Sequence, residues 1–328
     1  MIEARGLTKR YGSTLAVNDL SFTVQPGHVT GFLGPNGAGK STTMRMMLGL
    51  DRPTAGDVQI DGKHYAEFKQ PLHTVGALLD AKWMHPNRSA RAHLRWLARS
   101  NKISTKRVDE VLGLVGLTDV AGKRTGGYSL GMSQRLGIAA ALLGDPEVLL
   151  FDEPVNGLDP EGIVWIRTFM QSLAAQGRTV FVSSHLLSEM AITATELVVI
   201  GRGRLITQCS TADFVENATE ATVRVRSPQA DRLGTVLTSH GRTVTQVDGG
   251  LVVVGATSQE IGELAAMLGI VLHELSPQRG SLEQAFMQMT GEDVEFHGVE
   301  SASPPSEAER ELEAALAVTQ TGQGGATS

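Results

Sequence analysis

Three glycines, a lysine and a serine lie together in the segment Gly34-Pro-Asn-Gly-Ala-Gly-Lys-Ser. Glycine lets a backbone curve tightly enough for several N–H groups to point at one bound anion. The spacing G-x-x-x-x-G-K-[ST] is typical of a loop that wraps phosphate groups between a strand and a helix. The segment therefore predicts a phosphate site in which Lys40 reaches the terminal phosphates and the Ser41 hydroxyl binds Mg²⁺. The residues expected to contact phosphate are Gly34, Pro35, Asn36, Gly37, Ala38, Gly39, Lys40, Ser41 and Thr42.

Two acids follow an apolar run farther along the chain. Asp152 and Glu153 come directly after the residues VLLF at 148–151. An acid at the end of a buried strand is well placed to hold Mg²⁺ or its waters, and the next acid can polarise an attacking water. A solvated turn is the alternative, but so apolar a strand makes it the weaker interpretation. We therefore predict Asp152 as a metal ligand and Glu153 as a catalytic residue.

The elements that carry these residues alternate between strands and helices. Short apolar runs at 29–34, 148–151 and 179–184 are typical of parallel strands buried on both faces. The segment 15–24 alternates apolar and polar residues, as a half-buried strand does. Residues 86–145 contain amphipathic helical segments. The pattern predicts an α/β fold.

Composition restricts the class of protein further. The 328 residues carry a net charge of −6 without a contiguous block of Lys and Arg, which argues against a general nucleic-acid binder. The single cysteine, Cys209, excludes intrachain disulfides, and we expect it to be a small buried apolar residue. No apolar run is long enough to cross a bilayer, and the N-terminus lacks the apolar core of a secretory signal, so we expect no membrane span.

Taken in order over residues 1–210, these motifs resemble the ATP-binding subunit of an ABC transporter. The resemblance implies a P-loop NTPase core with an antiparallel β subdomain and a helical subdomain at about 82–146. It also implies that Tyr11 stacks on the adenine of ATP. By itself Tyr11 is a surface aromatic residue.

Three further motifs carry the resemblance. Tyr128-Ser-Leu-Gly-Met-Ser-Gln-Arg resembles the family's LSGGQ signature, with Leu130 and Met132 as departures, and implies that Ser129 and Gly131 contact a phosphate. Without the family, Ser129 is simply a helix N-cap. Asn156-Gly-Leu-Asp159 resembles the D-loop, and a turn with an Asx motif is the alternative. His185, after the strand 179–184, resembles the switch histidine that contacts the γ-phosphate.

One departure points to a branch of the family. Asp80 stands where the family usually has the glutamine of the Q-loop, and an aspartate can still bind metal through water or accept hydrogen bonds. An acid at this position resembles the drug- and antibiotic-export branch of the family, and we therefore include Asp80 among the nucleotide and metal contacts. Exporter subunits for bacitracin or daunorubicin carry a small C-terminal domain that ends in a segment similar to 281–291, although a plain amphipathic helix explains this segment equally well.

The pattern changes beyond residue 215. The order strand, helix, strand, strand, helix, strand over 220–275 resembles a small ferredoxin-like unit, with a last strand at 270–275 and a further helix at 281–291. We predict an ATPase domain at 1–214, an accessory α+β domain at 215–296 and a disordered tail at 297–328.

The resemblance implies an ATP-hydrolysing exporter subunit. One P-loop and one signature per chain imply that two copies clamp two ATP molecules head to tail, Ser129 of one facing the P-loop of the other. A separate membrane permease would bind near Trp83-Met-His-Pro86, at the inner face of the cell membrane, because exposed Trp and Met side chains suit a groove that receives a helix. The alternative is that these side chains pack within the helical subdomain. No nucleic acid is expected. The alternatives are an ABC ATPase that acts on ribosomes or DNA, and a P-loop small-molecule kinase.

Overall fold

A computed structural model describes residues 1–80, 83–218, 221–247 and 250–279. The strands are β1 (Ile2–Tyr11), β2 (Thr14–Val24), β3 (Val29–Leu33), β4 (Ala55–Ile60), β5 (Val75–Leu78), β6 (Val148–Phe151), β7 (Thr179–Ser184), β8 (Glu196–Gly201), β9 (Arg204–Ser210), β10 (Ala221–Arg226), β11 (Thr243–Val247), β12 (Gly250–Val254) and β13 (Glu274–Arg279). The α-helices are α1 (Lys40–Met47), α2 (Pro71–Thr74), α3 (Ala90–Ser100), α4 (Lys106–Leu114), α5 (Leu130–Ala141), α6 (Pro160–Ala175), α7 (Leu187–Thr193), α8 (Thr211–Ala218), α9 (Ala230–Ser239) and α10 (Ser258–Met267).

A six-stranded sheet carries the predicted site. Its order is β5-β6-β7-β3-β8-β9, and only the edge pair β8 and β9 is antiparallel. Every residue of β3, β6 and β7 is buried, which confirms the prediction made from their continuous apolar runs. Because β3, β5, β6 and β7 are parallel, the residues that follow them meet at one edge of the sheet.

A three-stranded antiparallel sheet, in the order β2-β1-β4, packs beside the first. The alternation predicted for 15–24 is present in β2, where Val17, Leu20 and Val24 are fully buried. The Phe22 ring contacts Phe32 and Phe181 of the large sheet, with centroids 5.5 and 5.6 Å apart. The two sheets therefore share one apolar core.

The middle of the chain forms the predicted helical region. Ser89 caps α3 by accepting a hydrogen bond from the Ala92 N–H group, and Ser129 caps α5. The apolar faces of α3, α4 and α5 meet around Leu94, Val111 and Leu136, which are fully buried. This core continues to the large sheet and sets the position of α5 relative to it.

A separate four-stranded antiparallel sheet has the order β11-β12-β10-β13. With α9 and α10, this is the element and strand order of a ferredoxin-like unit. The strand expected at 270–275 is wrong in its bounds, since β13 begins at Glu274. Gly269, at φ 65°, ends α10, and the Ile270 N–H group bonds to the Ala265 carbonyl at 2.8 Å, so the chain turns before it can pair.

Pro277 lies within β13 and has no N–H group to donate. It is tolerated because β13 is an edge strand.

The predicted helix 281–291 and the tail 297–328 lie outside the described residues, and the domain limits 1–214 and 215–296 stay predictions. Cys209 is half-buried rather than fully buried. Within the described ranges, no helix is long and apolar enough to cross a membrane.

Candidate active site

The glycine-rich loop connects β3 to α1, as predicted. Gly37 and Gly39 have φ values of 85° and 101°, in the left-handed region that favours glycine. A Cβ atom on Gly39 would lie 2.6 Å from the Ala16 carbonyl oxygen, so a side chain cannot fit there. The loop therefore holds its conformation only with glycine at this position, and α1 begins directly at Lys40.

The Lys40 side chain is 6% exposed and points back into the loop. Its Nζ donates to the Gly34 carbonyl at 2.6 Å and lies 3.4 Å from Glu153 Oε1. Burial lowers the pKa of Lys40, and the Glu153 carboxylate opposes that shift. A buried cation on backbone carbonyls beside a helix N-terminus fits a phosphate ligand, whose oxygens are stronger acceptors.

Glu153 lies between Lys40 and His185. Its Oε2 is 2.9 Å from His185 Nδ1, and its buried Oε1 accepts no hydrogen bond from the described residues. Its backbone has a φ of 48°, unusual for a residue with a side chain. Strained backbone of this kind costs about 1–3 kcal/mol and persists where the surroundings enforce it. The carboxylate therefore has Oε2 oriented by His185 and Oε1 facing the Lys40 ammonium at 3.4 Å.

Ser183 connects the two acids that follow β6. Its Oγ donates to Asp152 Oδ1 and accepts from the Glu153 N–H group at 2.9 Å. This hydroxyl holds the Asp152 carboxylate and the backbone of Glu153 in fixed relation. In the sequence, Ser183 was noted only because it lies two residues before His185. A polar residue at the end of an otherwise apolar strand was the available signal for its role.

The remaining predicted metal ligands lie at the same sheet edge. Asp80 follows β5, and the Asp152 N–H group bonds to the Leu78 carbonyl at 2.8 Å, so the ends of β5 and β6 are side by side. Ser41 is exposed in the first turn of α1. Among the described residues, no cluster of three His, Cys, Asp or Glu could hold a metal by itself. Serine and aspartate oxygens fit Mg²⁺ that also takes phosphate oxygens.

Tyr11 ends β1 close to the phosphate loop. Its hydroxyl donates to Asp51 Oδ2 at 2.7 Å, and Asp51 also accepts from Arg45 of α1. Partial burial, with the Asp51 carboxylate beside it, raises the pKa of Tyr11. Tyr11 as a residue is 45% exposed, and the Lys9 ammonium lies 4.8 Å from the ring centroid. Tyr11 is therefore oriented at its hydroxyl while part of its ring stays accessible.

The signature and D-loop residues contact their own helices. Ser129 Oγ accepts from the Met132 N–H group at 3.1 Å, and Asp159 Oδ1 accepts from Gly162 at 2.9 Å, where it caps α6. Gly131 lies against the Leu158 side chain. The structure thus brings Lys40, Glu153 and His185 into contact, whereas the nucleotide contacts of Ser129, Gly131 and Asp159 stay predictions.

Gln134 is a residue whose role the sequence did not reveal. It is 5% exposed in α5, and its Nε2 donates to the carbonyls of Glu153 at 3.3 Å and Asn156 at 3.5 Å. The signature helix is thereby bonded to the turn that carries the candidate catalytic carboxylate. Gln134 stands between Ser133 and Arg135, ahead of the apolar part of α5, so the sequence offered no signal for its contact.

The proposed docking segment is only partly exposed. Trp83 has 46% of its surface exposed, as expected, but Met84 is 8% exposed and belongs to the apolar core. For Met84 the exposed interpretation is therefore wrong, and the alternative, packing within the helical subdomain, is confirmed. The flexible thioether side chain fills the core space under the helical region.

Comparison with known proteins adds an independent result. A family model described as ABC transporter matches residues 17–156, and a domain of unknown function matches residues 221–283. An uncharacterized ABC transporter ATP-binding protein of Bacillus subtilis (strain 168), YhcH, is 40% identical over 90% of this chain and 97% of its own length. The bacitracin transport ATP-binding protein BcrA of Enterococcus faecalis is 36% identical over 89% of this chain and 96% of its own length.

A solved structure shares the fold. The cbiO1 protein of Clostridium perfringens, described as part of the ABC transporter complex cbiONQ, superposes with a TM-score of 0.57 and 26% identity. The match covers 65% of this chain and 89% of that one.

Proposed function

The chain belongs to the ATP-binding subunits of ABC transporters and is an ATPase, and from this premise we propose that two copies close on ATP to drive a separate membrane permease. The family resemblance read from the motifs is confirmed by the matched relatives. The kinase alternative is therefore wrong, and neither relative is named for a role on ribosomes or DNA.

The observation that carries the proposal is the contact of Glu153 with both Lys40 and His185. Lys40 and the N–H groups of the glycine loop would bind the β- and γ-phosphates. His185 orients Glu153 and lies where it could reach the γ-phosphate. With Lys40 bound to the phosphates, the Glu153 carboxylate would then orient or deprotonate the attacking water. The water oxygen bonds to the γ-phosphorus as the bond to the bridging oxygen breaks.

Ser41 and Asp152 would hold Mg²⁺, with Asp80 acting through water, and the ion would neutralise charge that develops on the phosphates. Ser183 keeps Asp152 in place for this task through its hydroxyl. The adenine would stack on the accessible ring of Tyr11.

The second copy completes each site. Ser129 and Gly131 lie at the exposed N-terminus of α5, which carries partial positive charge. In a head-to-tail dimer this terminus would face the γ-phosphate bound by Lys40 of the other copy, with Asp159 near the same interface. ATP joins the copies, and its hydrolysis removes the shared γ-phosphate and lets them separate.

The cargo class follows from the relatives. A bacitracin transport protein is similar over most of the chain, so we infer export of a drug, antibiotic or lipid-like molecule. The permease would bind near Trp83 and place the ATPase at the inner face of the cell membrane.

The dimer is tested with Glu153→Gln, which keeps the side-chain shape but cannot accept the water proton. With ATP and Mg²⁺ the variant should elute from a sizing column at twice the monomer mass while hydrolysing no ATP. Glu161→Gln, on the first turn of α6, is the control and should behave as the parent. A Glu153→Gln protein that stays monomeric with saturating ATP contradicts the head-to-tail dimer.

The permease is tested by tagging the chain in its own cell and solubilising the membranes gently. A polytopic membrane protein recovered in stoichiometric amount supports the exporter. Recovery only with ribosomes or DNA contradicts it and leaves the ATPase chemistry standing.

A further inference from the structure

Basic residues are concentrated in one segment of this acidic chain. Between Asp80 and Asp109 there is no Asp or Glu, although the whole chain carries a net charge of −6. The same segment has eight basic residues: Lys82, Arg88, Arg91, Arg95, Arg99, Lys102, Lys106 and Arg107. Because the positive charge is confined to this segment of an acidic chain, it indicates a binding site for an anionic partner.

The structure presents part of this charge beside exposed aromatic rings. The tryptophan–arginine face consists of Trp83, Arg88, Arg95, Trp96 and Arg99. Trp83 and Trp96 have 46% and 51% of their surface exposed. Both rings contact the buried His93 ring, with centroids 4.8 and 6.1 Å away, so the two indoles are neighbours. The Arg88 guanidinium lies 5.1 Å from the Trp96 ring centroid.

A shallow cavity of about 410 Å³ opens on this face. Its lining includes three arginines, a serine and an indole: Ser89, Arg91, Arg95, Trp96 and Arg99. Asp109 lies 3.1 Å from Arg91 Nε and offsets one of the charges. Arg95 and Arg99 are exposed and form no ion pair with the described residues. The cavity thus keeps two uncompensated guanidinium groups.

We propose that the tryptophan–arginine face binds an anionic phospholipid headgroup at the membrane surface. Guanidinium groups bind phosphate with paired N–H donors, and half-exposed indoles favour the boundary between headgroups and acyl chains. The inference rests on the proposed function, which places the chain at a membrane. Trp83 belongs both to this face and to the segment proposed to bind the permease, so both contacts would form on the same side of the protein.

The test uses the full chain and vesicle flotation without a permease. Vesicles of phosphatidylglycerol in phosphatidylcholine should bind the parent, and pure phosphatidylcholine vesicles should not. Arg95→Gln with Arg99→Gln should weaken binding about 30-fold, the equivalent of about 1 kcal/mol for each basic residue at an anionic surface. Lys63→Gln with Lys69→Gln is the matched control, since both lysines are exposed elsewhere and the charge change is equal.

Four results would overturn the proposal. Equal binding to both vesicle types removes the role of the headgroup charge. If the two double variants weaken vesicle binding equally, binding depends on the net charge of the protein and not on this face. If the arginine double variant binds as the parent does, the face does not bind lipid and would serve a protein partner instead. Inorganic phosphate that displaces the chain at millimolar concentration, beyond the effect of sodium chloride at equal ionic strength, would assign the cavity to a free anion.

Two controls keep this result separate from the proposed function. Arg95 and Arg99 are exposed, so the thermal unfolding midpoint of their variant should match that of the parent. The ATP-dependent dimer of Glu153→Gln is measured without vesicles. A normal dimer with no vesicle binding rejects only the lipid site.

Discussion

The side-chain amide of Gln134 donates to the main-chain carbonyl of Glu153 at 3.3 Å, which joins the signature helix to the turn that carries the candidate catalytic carboxylate. A second hydrogen bond reaches the Asn156 carbonyl in the same turn. In the proposed dimer, α5 faces the ATP held by the other copy. Movement of α5 toward that ATP would therefore act on Glu153 of its own chain.

Gln134→Glu keeps the shape of the side chain but removes the amide donor. We expect kcat for ATP hydrolysis to fall at least tenfold while the KM for ATP changes little, because the turn loses its support but the phosphate loop does not. Gln171→Glu is the control, since that amide donates to the Ile192 and Thr193 carbonyls away from the site. It should lower stability by about 1 kcal/mol and leave kcat unchanged. Equal kcat losses in both variants would contradict the role of Gln134.

Gly157 leaves space for the side chain of Leu130, which stands where the family's LSGGQ signature has a glycine. A Cβ atom at Gly157 would lie 2.0 Å from Leu130 Cδ2, and the glycine has a φ of 74°. Gly157→Ala should destabilise the fold by about 1–2 kcal/mol from its backbone conformation alone, with a further loss from contact with Leu130. Urea unfolding measures both effects.

Gly177→Ala is the matched control for that variant, since Gly177 has a φ of 86° and no atom within 4 Å of the added Cβ. It should show only the backbone cost. Adding Leu130→Ala to Gly157→Ala should recover the difference between the two glycine variants. If both glycine variants lose the same stability, the Leu130 contact has no energetic weight.

Two substitutions of Tyr11 distinguish stacking of its ring on adenine from the hydrogen bond of its hydroxyl group. Tyr11→Phe keeps the ring and loses only the hydrogen bond to Asp51, so the KM for ATP should change less than threefold. Tyr11→Ala removes the ring and should raise the KM about tenfold, since stacking of a base on an aromatic ring contributes about 1–3 kcal/mol. Steady-state ATPase kinetics decide between them, and equal KM values in the two variants would exclude stacking.

The lowered pKa of Lys40 makes the free energy of unfolding depend on pH. Burial holds its pKa below the usual value of 10.5, so in alkaline solution the unfolded chain binds more protons than the folded one. The free energy of unfolding should then rise with pH between the lowered pKa and 10.5. Lys40→Met lacks this titration, and its stability relative to the parent should decrease as pH rises through that range.

Parallel urea unfolding of the two proteins from pH 7 to the alkaline limit of folding measures this difference. The other titrating groups are common to both proteins, so the contributions of those that do not interact with Lys40 cancel. A stability difference that stays constant with pH would show that Lys40 keeps an ordinary pKa.

The sequence alone determined the local chemistry. The phosphate loop and the acids after 148–151 were recognised because glycine spacing and buried apolar runs depend only on neighbours along the chain, whereas the role of His185 came from the family resemblance. The alternation in 15–24 and the helical segments in 86–145 were also predicted from neighbouring residues.

Tertiary structure decided what depends on residues far apart in the chain. Gln134 reaches the turn after β6, Leu130 fills the space at Gly157, and Asp51 orients Tyr11, and none of these pairs has a signature in local spacing. Met84 is buried because its apolar side chain packs in the core under the helical region. The last strand began four residues later than expected because the end of α10 uses the Ile270 N–H group. Packing and hydrogen-bond satisfaction act between distant segments, so they became visible only once the chain was folded.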